Sequence, residues 1–95
     1  MMSEKPKKQR RDEVLYKTII ERMIEIRSSY GHTQEYVAHN TGLDIPHFET
    51  GRDFPTMTSI SVFCEFYNLT LGEFFAPMNY PPKTDKVVER LLKKK

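Results

Sequence analysis

The stretch from Thr33 to Gly51, TQEYVAHNTGLDIPHFETG, constrains the fold more than any other part of the chain. Thr33 suits a helix N-cap, because its hydroxyl can accept from a first-turn N–H that has no partner within the helix. Val37 and Ala38 supply the inward face, and Gly42 offers the positive-φ conformation that a sharp helix exit needs. Two residues later Asp44 is placed to cap a second, very short helix. Phe48 is its one large apolar residue able to anchor it, and Gly51 ends it. The second helix spans Ile45 to Thr50, about 9 Å at the standard rise. So short a helix has no stability of its own and depends on packing. Pro46 is tolerated in a first turn, but it biases Ile45 away from helical geometry and moves the expected start to Pro46.

Two helices at a steep angle around a glycine-containing turn make the unit that presents its second helix to a DNA groove. Thr33-Gln34-Glu35, Ala38, Gly42, the Phe48-Glu49-Thr50-Gly51 ending and Pro55 together resemble the Cro and lambda-repressor-like helix-turn-helix family. The resemblance covers about residues 20 to 76. It implies an all-α, five-helix DNA-binding domain, acting as a transcriptional regulator on duplex DNA and expected to work as a homodimer. The chain departs from the family between Gly42 and Glu49, where about three residues are missing, so the recognition helix is one turn short. The resemblance further implies that Gln34 and Arg52 contact phosphate, with Thr33 and Asp44 at the helix N-termini beside them. It also implies that Arg27 pairs with Glu49 and locks the second helix of the unit to the first helix of the domain. A solvated helix arginine is the plainer reading of Arg27.

The residues on the short helix that are free to meet a groove are Ile45, His47 and Thr50. His47 offers a hydrogen bond to a base edge or phosphate, and Ile45 an apolar contact to a thymine methyl. With no Arg, Asn or Gln there for two-pronged base contacts, direct readout is expected to be thin. Asp53 dilutes the field of its neighbour Arg52.

The rest of the chain is read around this unit. Leu15, Ile19, Met23 and Ile26, widened by Ile20 and Ile24, repeat at helical steps and predict a helix from about Asp12 to Tyr30. Pro55-Thr56 opens a further helix whose buried face is expected to be Met57, Ile60, Phe63, Cys64 and Tyr67. Thr70 and Glu73 form a capping box ahead of Phe74 and Phe75, which close the core. The division is therefore a basic arm at 1–11, a helix-turn-helix domain at 12–77, a proline-rich linker at 78–83 and a basic amphipathic tail at 84–95. Val87, Val88, Leu91 and Leu92 give the tail an apolar stripe that suits a helix.

The formal net charge of +2 conceals a division. Residues 1–11 carry +4, residues 12–82 carry −6 and residues 83–95 carry +4. The body therefore lacks a broad basic face, and phosphate affinity falls to the tails, a few arginines and helix N-termini. The arm reads equally as a DNA-tracking segment or a solubilising one. The single Cys64, the absence of an ~18-residue apolar run and a leader without a hydrophobic segment lead to the expectation of a soluble cytoplasmic protein. His32, His39 and His47 lack a metal-ligand spacing, and no triad or phosphate loop stands out. No enzyme activity, metal or cofactor is expected. A protein-interaction module, such as an antitoxin docking a partner protein, is the alternative function. A ligand-responsive regulator is a weaker reading, since the chain has no room for a ligand domain.

Overall fold

The computed structural model describes residues 12–83 and 90–92. The arm at 1–11 and half of the tail stripe, Val87 and Val88, lie outside the described residues. The described body is all helical, with α1 (Glu13–Ser29), α2 (Gln34–Thr41), α3 (Ile45–Thr50), α4 (Met57–Phe66), α5 (Leu71–Phe75) and a 3₁₀ turn (Ala76–Met78). No helix among the described residues is long and apolar enough to cross a membrane.

Each helix begins where a side chain can satisfy its first free N–H groups. Asp12 accepts from Leu15 N, Thr33 from Tyr36 N, Thr56 from Ser59 N and Thr70 from Glu73 N. At Thr70 the Glu73 carboxylate reaches back to the Thr70 N–H at 2.9 Å, which completes the capping box. The exits after α2 and α3 turn left-handed at Gly42 (φ 79°) and Gly51 (φ 87°), where a side chain would be strained.

The core gathers one face of α1 with the inner sides of α2, α3, α4 and α5. Tyr16, Ile19, Ile20, Met23 and Ile26 come from α1, Ile60, Phe63 and Cys64 from α4, and Val37 and Phe74 from α2 and α5. Three positions on α1 and α4 differ from the sequence expectation. Leu15 and Ile24 are only partly buried, and Tyr16 takes a core place beside Leu15. Met57, at the first turn of α4, is 56% exposed rather than buried.

Arg22 closes the far end of the domain. Its Nε donates to the Phe74 carbonyl at 2.6 Å and its Nη2 to that of Glu73 at 3.0 Å. These carbonyls end α5, where a cation satisfies both hydrogen bonding and the helix dipole. Met78, the last residue of the 3₁₀ turn, packs against the core, and beyond it the Tyr80 hydroxyl donates to Asp12 Oδ2 at 2.7 Å. The proline-rich segment at 78–83 thus returns to the start of α1. Arg90 to Leu92 are helical, with Leu91 and Leu92 exposed.

Candidate nucleic-acid interface

The α2–α3 unit is joined by residues 42–44 and rests on α1. The short α3 is held by two side chains rather than one. Phe48 is buried, and so is Ile45, at 1% exposure. This corrects the expectation that Ile45 faces a groove. It also places the start of α3 at Ile45, one residue before the proline. A six-residue helix gains nearly all its stability from packing, so both of its large apolar residues turn inward.

Hydrogen bonds fix α3 from three directions. The Tyr16 hydroxyl lies 3.0 Å from the Phe48 carbonyl and 2.9 Å from the Asp53 carbonyl, sharing one proton between the end of α3 and the loop after it. Arg27 donates from Nε to Glu49 Oε2 at 2.7 Å and from Nη2 to Oε1 at 3.0 Å. Its remaining Nη1 donates to the His32 carbonyl at 2.7 Å. Gln34 adds a bond from Nε2 to Glu49 Oε1 at 2.7 Å. The Glu49 carboxylate therefore collects α1, α2 and α3 at one point. Its hydrogen bonds to Arg27 raise the arginine pKa further above its usual high value.

This network changes the standing of Gln34. One N–H of its amide is committed to Glu49, which leaves the second N–H as the side chain's remaining donor for phosphate. The other residues expected at the interface remain at the surface. Thr33, Asp44, Thr50 and Arg52 are exposed, and His47 is half-buried. Thr33 and Asp44 are engaged as caps, and the Thr50 hydroxyl donates to the His47 carbonyl at 3.3 Å.

His47 has carboxylates on two sides. Its Nδ1 lies 2.7 Å from Asp44 Oδ2 and 3.5 Å from Asp53 Oδ2. Spacing along the sequence carried no signal of this, because the meeting depends on how the chain turns after Gly51. Asp53 N–H donates to the His47 carbonyl at 3.2 Å and so brings its side chain back over α3.

A second surface feature went unread in the sequence. The His32 ring, hydrogen-bonded through Nδ1 to the Tyr67 hydroxyl at 2.8 Å, sits among Tyr30, Tyr36 and Phe66. Tyr30 and Tyr36 are exposed, and burial pushes the Tyr67 phenol above its usual pKa. Tyrosines 30 and 36 flank the start of α2, but only the fold brings Phe66 and Tyr67 to them.

Comparison with family models, with curated proteins and with solved structures finds no match in any of the three.

Proposed function

We propose that this chain binds duplex DNA as a transcriptional regulator of the Cro and lambda-repressor-like helix-turn-helix type, acting as a homodimer. The observation that carries the reading is the capped α2–α3 pair, joined by residues 42–44 and fixed to α1 through Arg27, Glu49 and Tyr16. Such a pair offers a rigid short helix whose outward residues are His47 and Thr50, with Arg52 following it. Phosphate contacts at Arg52 and at the α2 N-terminus would set register, and His47 would supply what direct base contact there is. The basic stretches at 1–11 and 83–95 support the electrostatic part of binding.

A second reading, a surface that docks a protein partner, draws on a specific observation. Asp44 and Asp53 border His47 on the face that would meet DNA, and residues 12–82 carry −6. Carboxylates in that place repel phosphate. Binding of the full chain to random and to selected duplexes across a salt series separates the two readings. A DNA-binding regulator shows a steep log–log salt slope and a preferred duplex. A protein-docking module shows neither.

A further inference from the structure

We propose that Asp44, His47 and Asp53 form a binding site for one divalent transition-metal ion of the zinc class. Each residue offers one donor atom, and the three lie within 4.8 Å of one another, with His47 Nδ1 near an oxygen of both carboxylates. Metal–ligand bonds of about 2.0–2.2 Å place adjacent donors roughly 3 to 3.5 Å apart. The separation of His47 Nδ1 from Asp53 Oδ2, 3.5 Å, already satisfies this. The separation from Asp44 Oδ2, 2.7 Å, opens to it by a small rotation of a side chain that is exposed.

Two of the donors come from α3 and its cap, and the third from the loop that folds back over it. Asp44 is the N-cap of α3, and His47 lies one turn along the same helix. Asp53 is held from both sides of its peptide, by its N–H to the His47 carbonyl and by its own carbonyl to the Tyr16 hydroxyl. The site is therefore a mixed nitrogen and oxygen set of one imidazole and two carboxylates, not a run of acids. Such a set favours borderline ions over the hard calcium and magnesium ions, which prefer oxygen alone. Among the described residues no other three His, Cys, Asp or Glu side chains gather in this way.

Binding requires the Nδ1 lone pair. In the structure Nδ1 faces Asp44, so an ion displaces the Nδ1 proton and leaves the ring protonated at Nε2. The two carboxylates and the neutral ring sum to −2, which the ion cancels. Three protein donors leave coordination positions open to water or to an anionic oxygen. Only the consequence for DNA rests on the proposed function: the ion would remove the negative charge that Asp44 and Asp53 place beside α3. Metal binding itself is independent of that reading and is measured without DNA.

The test is calorimetric titration of Zn2+ into the full-length, metal-free protein, with paramagnetic Co2+ added in parallel while the histidine ring signals are followed by NMR. The expected result is one ion per chain and selective broadening of His47 over His32 and His39. Asp53→Asn lowers the affinity by about tenfold or more, the scale seen when a metal site loses supporting groups. Asp44→Asn, which keeps a capping side chain, does the same. Glu21→Gln, an exposed acid elsewhere on α1, leaves it unchanged. No saturable heat, equal affinity in the aspartate variants, or equal broadening of all three histidines overturns the proposal. A folding check by circular dichroism on each variant separates lost ligation from lost structure, and the two independent aspartate variants keep the test decisive if one of them unfolds.

Discussion

Arg27 and Glu49, 22 residues apart in sequence, meet as a two-pronged ion pair with both carboxylate oxygens engaged. Their side chains are only 16% and 8% exposed. Two charges removed this far from water are tolerated because they satisfy each other, so truncating one strands the other. Arg27→Ala or Glu49→Ala is expected to destabilise the domain by about 3–5 kcal/mol. Replacing both with apolar residues of similar volume should cost much less. Urea denaturation of the two single variants and the double variant checks this, and equal loss in all three would show that packing, not stranded charge, sets the cost.

Tyr16 is expected to matter through its hydroxyl. Tyr16→Phe keeps the ring but leaves the Phe48 and Asp53 carbonyls without that donor. The Gly51 N–H still reaches the Phe48 carbonyl at 3.1 Å, so a loss of about 1 kcal/mol, the net worth of a hydrogen bond, is expected. Faster amide exchange in residues 48–53 than in α4 would place the effect at the end of α3. Uniform acceleration would point to global destabilisation alone.

Gly51 tests backbone conformation without steric conflict. A Cβ there would meet the Tyr16 ring at 3.7 Å, an ordinary contact, while φ stays at +87°. Gly51→Ala should therefore cost about 1–2 kcal/mol, from the left-handed conformation alone. A much larger loss in thermal unfolding would mean that space around Tyr16 is tighter than the structure has it.

The acid limb of stability should report Asp12. Hydrogen bonding from the Leu15 N–H, and then from the Tyr80 hydroxyl, lowers the Asp12 pKa. The unfolded chain takes up the proton first as pH falls, near the ordinary value of about 3.9. The contribution of Asp12 is thus complete above that value and is lost as pH drops through the lower folded value. Asp12→Asn should flatten the stability curve below about pH 4, where this loss occurs, with Tyr80→Phe removing a smaller share. Curves parallel to wild type would show that other carboxylates dominate the acid limb.

For DNA, the proposed function assigns different roles to two surface residues. Arg52→Ala should weaken every duplex alike and reduce the log–log salt slope by about 0.9, the effect of one phosphate contact. His47→Ala should instead change relative affinities among single-base variants. Should His47→Ala leave all relative affinities unchanged, α3 is not the reader and the protein-docking interpretation gains.

The helix ends were legible in the sequence because capping is local. Thr33, Asp44, Thr56 and Thr70 each act on an N–H three residues away, and Gly42 and Gly51 act at their own positions. The core faces of the longer helices were legible because several repeats fix a phase. Ile45 was not, since six residues give too little periodicity to distinguish a groove-facing residue from one packed in the core. The partners of Gln34 and His47 were hidden for another reason. Each depends on a residue that the fold brings in, Glu49 for the amide and Asp53 for the ring.

The hydrogen bond between Asp12 and Tyr80 ties together the two ends of the described body. Residues 1–11 and 83–95 are consequently rooted close to one another, and each carries +4. The two +4 stretches therefore leave the −6 body from adjacent points, so a graft at one root sits beside the other.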